Sequence, residues 1–223
     1  MSNKVKPFSA SKMATRTAVI LFLFTIGFTA VLAGIYLLTK PAIDASAVLK
    51  KMRSIGEVLP PGSYDNDLLN DTLSLPPTPA LGLDDVSTVY RARQGGQPAA
   101  LIIEAVASDG YSGKIRLLVG ARADRTLSGV RVTEHKETPG LGDYIDPAKD
   151  KNKAHPWIEQ FDGKSLATLA ARDWQVKKDG GRFDSLAGAT ISPRAVIKAV
   201  HKALEYVAQN RDALYATEKR GQP

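Results

Sequence analysis

The 223-residue chain contains no cysteine, which excludes disulfides, thiolate metal sites, thiolate-ligated iron–sulfur clusters and a cysteine nucleophile. Its formal net charge of +7 is concentrated at one end: residues 1–40 carry Lys4, Lys6, Lys12, Arg16 and Lys40 and no acid, which leaves 25 basic against 23 acidic residues in the remainder. A nearly neutral globular part has no electrostatic footprint for nucleic acid, and none is expected as a partner.

Residues 1–16 form a basic N-terminal segment. The run Thr17–Thr39 that follows is uncharged over 23 residues and holds thirteen Val, Ile, Leu or Phe. As a helix it would measure about 34 Å, enough for the roughly 30 Å hydrocarbon core of a bilayer. Its apolar side chains favour insertion by roughly 4–8 kcal/mol before the Gly and Thr costs. Ala45-Ser46-Ala47 offers a signal-peptidase pattern, but the run exceeds the roughly 7–15 residues of a cleaved signal peptide, so a retained transmembrane helix is predicted over 17–39. Basic residues flank both ends, Lys4, Lys6, Lys12 and Arg16 before it and Lys40, Lys50, Lys51 and Arg53 after it, so charge bias does not decide orientation. Gly27, Ala30 and Gly34 share one helical face, a spacing that suits docking of another membrane helix or reflects the frequency of glycine in such helices.

Residues 40–82 read as a linker with a short helix, Ala47–Val58, stopped by Pro60-Pro61-Gly62. Five prolines between 60 and 80 argue for loop there. Asn70-Asp71-Thr72 matches a glycosylation sequon, which at three residues carries little weight.

The folded domain is predicted over 83–214. Val86–Arg93 and Ala99–Ala107 flank Gln94-Gly95-Gly96-Gln97, a hairpin turn pattern. Lys114–Val119 and Leu127–Glu134 read as a second hairpin across Ala121–Thr126, and Trp174–Lys177 as a further strand. No β–α alternation appears, so the fold class is α+β with an antiparallel sheet. Ser192 suits an N-cap and Pro193 the first helical position of a closing C-terminal helix, with Val196, Val200, Leu204 and Val207 as its apolar stripe. That helix should end near 210–214, leaving 215–223 as a tail.

Common catalytic sets find no support. His135, His155 and His201 are dispersed, and no phosphate-binding Gly-x-x-x-x-Gly-Lys loop or Gly-x-Ser-x-Gly elbow occurs. Two loops remain. In Glu137-Thr138-Pro139-Gly140-Leu141-Gly142-Asp143 the glycines let backbone amides approach a planar ligand, with Leu141 available to a ring face. The bland alternative is an ordinary turn. In Asp184-Ser185-Leu186-Ala187-Gly188-Ala189-Thr190 small residues surround a hydroxyl just ahead of a helix start, where free N–H groups and the dipole stabilise an anion. The alternative there is a capping loop.

Taken in order, the basic N-terminus, the single membrane helix, Gly110-Tyr-Ser-Gly-Lys-Ile115, His135-Lys-Glu-Thr-Pro-Gly-Leu-Gly-Asp143, Trp157-Ile-Glu-Gln-Phe-Asp-Gly-Lys164 and Asp184-Ser-Leu-Ala-Gly-Ala-Thr-Ile-Ser192 resemble the covalent FMN-binding domain family. The resemblance is strongest to the G subunit of the Rnf (Rsx) ion-translocating electron-transport complex. It covers roughly Leu83–Ala208 plus the anchor. It implies an antiparallel-sheet FMN-binding domain closed by the C-terminal helix, with FMN joined through its phosphate to the Thr190 hydroxyl by a separate flavin transferase that uses FAD. It further implies that Asp184, Ser185, Gly188 and Ala189 frame the attachment, that Glu137–Gly142 line the flavin, and that Tyr111 or Trp157 approaches it. The family pattern runs Asp-x-x-Ser/Thr-Gly-Ala-Thr, and Ala187 departs from it by one lost hydroxyl. Other membrane subunits would be the partners, no metal is called for in this chain, and the soluble domain would lie in the periplasm, outside a bacterial inner membrane. The chain would be a redox subunit and not a complete enzyme. The C subunit of sodium-translocating NADH:quinone reductase and a flavin-free anchored scaffold are the alternatives.

Overall fold

The structure is a computed structural model that describes residues 10–216, so Lys4, Lys6 and residues 217–223 of the expected tail lie outside the described residues. The chain divides into two compact units, Met1–Lys51 and Met52–Pro223.

The described residues of the first unit are helical. Helix α1 runs Ala10–Val58 with Pro41 inside it. It contains an 18-residue stretch of mean hydropathy 2.5, none of it buried, long and apolar enough to cross a bilayer. Phe22, Phe28, Leu32 and Leu38 all stand exposed on it, so this stretch of the helix is apolar all round and has no core-facing stripe. The short helix expected over Ala47–Val58 is the last part of it. Flanks rich in Leu, Ala and Lys favour helix strongly enough to carry the chain through Pro41.

The second unit is built on a five-stranded antiparallel meander in the order β1-β2-β3-β4-β5, with β1 Thr72–Leu75, β2 Ser87–Gln94, β3 Gln97–Gly110, β4 Gly113–Arg122 and β5 Leu127–Glu134. The sheet stays open. The β2–β3 turn is the predicted one: Gly95 and Gly96 both have positive φ, 57° and 76°, as a two-residue hairpin requires. Strand β1 lies within the stretch read as loop; its Leu75 is buried and it pairs with β2 from Thr72↔Tyr90 to Leu75↔Ser87. Residues 174–177 do not form a strand. The segment makes one parallel bridge, Val176↔Phe183, with backbone bonds from the Lys177 N–H to the Phe183 carbonyl and from the Phe183 N–H to the Gln175 carbonyl.

Strand β3 explains its own sequence. Leu101, Ile103, Ala105 and Ala107 enter the large core, while Ala100 and Ile102 enter a second core on the other face. Both faces are covered, so its near-continuous apolar run replaces the alternation of a half-exposed strand. The large core is closed by helix α2, Ile191–Tyr215, through Val196, Val200, Leu204 and Val207 as predicted. The second core is closed by Ile55, Val58 and Leu59 at and beyond the end of α1. Here two paired glycines, Gly120 and Gly129, form the seat. A Cβ on Gly129 would stand 2.9 Å from Val58 Cα. Gly129→Val is therefore expected to destabilise the chain by about 1–3 kcal/mol through overpacking, measured by urea unfolding in detergent.

The C-terminal end of α2 is tied to the far edge of the sheet. Asp71 accepts from Arg91 Nε at 2.6 Å and from Arg93 Nε at 2.7 Å. The same guanidinium groups donate onward to the carbonyls of Ala216 at 2.7 Å and Tyr215 at 3.2 Å.

Candidate functional site

Strand β5 delivers the glycine-rich loop. His135 Nδ1 accepts the Glu137 N–H at 3.1 Å and so turns the chain inward. Glu137 is only 4 % exposed. Its Oε1 accepts the Ser112 N–H at 3.1 Å and its Oε2 the Ser192 hydroxyl at 2.6 Å. One carboxylate thus joins the β3–β4 turn, the glycine-rich loop and the first turn of α2. Gly142 makes room for it, since a Cβ there would stand 2.5 Å from Ser192 Oγ and 2.8 Å from Glu137 Oε2. The predicted N-cap is overturned by this bond. Helix α2 begins at Ile191, Thr190 occupies the cap position without a side-chain capping bond, and Ser192 turns to the buried carboxylate because a charge-assisted bond is the stronger one. Glu137→Ala leaves the buried Ser192 hydroxyl without its acceptor. It is expected to cost about 2 kcal/mol, read by thermal unfolding against wild type.

The loop from Asp184 to Thr190 is held from below by aromatic residues. Trp157 Nε1 donates to the Asp184 carbonyl at 2.6 Å, and the Asp184 N–H donates to Gln160 Oε1 at 2.7 Å. The buried Tyr144 hydroxyl accepts the Leu186 N–H and donates to the Ala189 carbonyl, both at 3.1 Å. Burial pushes the Tyr144 phenol up, so it stays protonated and keeps its donor. Gly188 adopts φ 81° with open space where a side chain would stand, a conformation that favours glycine. Thr190 follows, half-buried. Its Oγ1 accepts from Arg194 Nη1 at 3.3 Å. Arg194 also donates through Nε and Nη2 to the two oxygens of Asp179, at 2.6 and 2.7 Å.

A cavity of about 210 Å³ opens between these loops. Tyr111, Glu137, Thr138, Leu141 and Gly142 line it together with Lys178, Gly188, Ala189 and Thr190. Its volume lies below the roughly 300–1,000 Å³ of an enclosing ligand pocket, so a ligand as large as a flavin would sit partly outside. Tyr111 and Leu141, 66 % and 52 % exposed, offer apolar surface at the opening. Pro139 and Gly140 are exposed on the loop's outer bend. Trp157, Asp184 and Ser185 are not brought to this cavity. They line a neighbouring depression of about 510 Å³ with Asp150 and His155, and the Trp157 ring packs edge-on against Tyr144 and Phe161.

The donor set fits a phosphate-linked planar cofactor. A reachable hydroxyl, a guanidinium beside it and open space at Gly188 suit a phosphate. The exposed Leu141 and Tyr111 suit a ring. Arg194 was missed, although its place four residues after Thr190, one helical turn on, was a local signal. Tyr144 carried no signal, because its partners lie more than 40 residues away in sequence.

Comparison with known proteins decides the family. Residues 110–205 match the FMN-binding domain and residues 1–58 the RnfG N-terminal region. The G subunit of the ion-translocating oxidoreductase complex of Pseudomonas aeruginosa (strain UCBPP-PA14) is 48% identical over 204 residues, 92% of this chain and 93% of the relative. The G subunits of the same complex from Pseudoalteromonas atlantica (strain T6c / ATCC BAA-1087) and Salmonella typhi are 40% and 44% identical, over 92% and 86% of this chain and 93% and 90% of theirs. The chain belongs to the G-subunit family of ion-translocating oxidoreductase complexes. Its FMN-binding domain match spans every residue that lines the 210 Å³ cavity, and the match to the family's N-terminal region covers the apolar stretch of α1.

Proposed function

We propose that this subunit is a membrane-anchored electron carrier in which FMN is held by a phosphoester to Thr190. One observation carries the reading: the only hydroxyl of the Asp184–Thr190 loop that lines the 210 Å³ cavity is that of Thr190, beside a guanidinium and facing the glycine-rich loop. The flavin supplies one- and two-electron redox chemistry when bound. This chain's residues position it: Glu137 and Gly142 join the loops on either side, Tyr144 holds the attachment loop, and Leu141 with Tyr111 offers the apolar rim. The same reading places the flavin domain at 83–214, the linker at 40–82 and the anchor at 17–39, with the domain in the periplasm beside the other subunits of the complex. A flavin transferase makes the bond, so no general base is needed next to Thr190.

The name shared by these relatives supports a G subunit over the C subunit of sodium-translocating NADH:quinone reductase. The arrangement around Thr190 supports a flavin carrier over a flavin-free scaffold. Ala187 is exposed, so the hydroxyl it lacks would have faced solvent or the transferase and not the cavity. Mass spectrometry of the peptide bearing Thr190, from the chain produced with its transferase, tests the reading. The expected result is one FMN per chain on that peptide; an unmodified Thr190 peptide sinks it.

A further inference from the structure

The strongest unassigned feature around the cavity is the paired guanidinium of Arg194. It binds Asp179 side-on, through Nε and Nη2, and this leaves the opposite end of the fork, Nη1, directed at Thr190 Oγ1. The pair mutually fixes its charges: the hydrogen bond and charge of Arg194 hold Asp179 below the usual carboxylate range, and Asp179 raises Arg194. Lys178, on the same 3₁₀ turn as Asp179, lines the same cavity. The one carboxylate in the cavity wall, Glu137, already accepts a bond on each oxygen, from Ser112 and Ser192.

We propose that Arg194, oriented by Asp179, is the residue that receives the phosphate during flavin attachment and holds it afterwards, with Lys178 as a second positive charge lining the cavity. The proposal rests on the reading of Thr190 as the attachment point. In the transfer, a bond forms between Thr190 Oγ1 and the phosphorus of the FMN half of FAD. The bond from that phosphorus to the oxygen bridging to the AMP half breaks, AMP leaves with the electron pair, and the hydroxyl proton passes to a base on the transferase. Nη1 lies on the attacking oxygen and is therefore within reach of the phosphoryl oxygens as charge grows on them. Stabilisation of such charge by a fixed donor is the common device of phosphoryl-transfer sites. Asp179 makes the geometry specific. A guanidinium gripped on one edge presents its other end in a defined direction, which a lysine cannot reproduce. Arg194 is a positioning residue before attachment and a direct phosphate contact after it.

The test uses the full-length chain in detergent, with FAD and a flavin transferase, and follows intact mass with time. Wild type should gain one flavin on Thr190. Arg194→Gln should slow this by about 10- to 100-fold, the range set by losing one charge-assisted hydrogen bond. Arg194→Lys should fall between the two, and Asp179→Ala, which keeps the cation but frees it, should also slow modification. The phosphorus NMR signal of the attached phosphate should shift in Arg194→Gln at an unchanged melting temperature, which a merely structural role would not produce. A wild-type rate together with an unshifted phosphorus signal in Arg194→Gln overturns the assignment, and if that variant fails to fold, the same pair of results in Arg194→Lys does so. A wild-type chain that gains no flavin on Thr190 overturns it by another route, by removing the attachment reading beneath it.

Discussion

Thr190→Ala is expected to abolish covalent flavin while leaving the fold intact. The two halves of that result come from different observations. Attachment is lost if, as proposed, the Thr190 hydroxyl is the acceptor, since the loop's other hydroxyl, Ser185, lines the neighbouring depression instead. The fold survives because Thr190, though at the cap position of α2, makes no side-chain capping bond. Its hydroxyl meets only the exposed Arg194, at 3.3 Å. A substitution away from core and cap bonds changes stability by no more than about 0.5 kcal/mol. The measurement is flavin fluorescence at the mass of this chain after denaturing electrophoresis, beside a melting curve of the same sample. Thr190→Ser, which keeps a hydroxyl, should retain the band. A band of wild-type intensity in Thr190→Ala would place the flavin elsewhere.

The largest effect on stability is expected from Asp71→Ala. Asp71 alone neutralises two guanidinium groups, and Arg91 is only 6 % exposed. Removing it leaves a buried cation without its anion, at a cost of about 3 kcal/mol. It also loosens the bonds from Arg91 and Arg93 to the carbonyls of Ala216 and Tyr215. The pH dependence has a definite sign. Burial pushes the Asp71 carboxyl up, but the hydrogen bonds and charges of Arg93 and Arg91 outweigh it and hold the group below its ordinary value. A depressed carboxylate contributes stability that is present above its unfolded pKa, about 3.9, and is lost as pH falls through the folded value. The stability difference between wild type and Asp71→Ala should hold steady from neutral pH to about 5 and narrow below about 4. Denaturant unfolding across that range would show it; a difference that widens on acidification would contradict the account.

The elements legible in the sequence were those with a local cause. The Gln94–Gln97 turn needs two glycines at positive φ, and the strands around it were placed by their apolar runs. The stripe from Val196 to Val207 is as buried as its helical spacing requires. Misreadings occurred where a distant partner outbid local preference. Strand β1 hid among prolines because only pairing with β2 makes Thr72–Leu75 extended. Ser192 looks like an N-cap in isolation, yet a carboxylate 55 residues earlier takes its hydroxyl. Trp174–Lys177 has the composition of a strand but finds no edge to join beyond one bridge.

The same division runs through the site. By itself the sequence determined the membrane-length apolar run, the class of fold, and the glycine-rich and Gly-Ala-Thr loops. The run and the two loops depend on composition or spacing within about 20 consecutive residues, where sequence distance and physical distance nearly coincide, and the class of fold on the order of such local patterns along the chain. Only the tertiary structure decided which of the marked residues share a cavity. It joined Tyr111, Glu137, Leu141 and Thr190, and set Trp157, Asp184 and Ser185 apart. It also added Tyr144, which holds the loop, and Asp179, which orients Arg194 beside the Thr190 hydroxyl. Such pairings depend on where the sheet and α2 bring separate loops together, which no local pattern encodes.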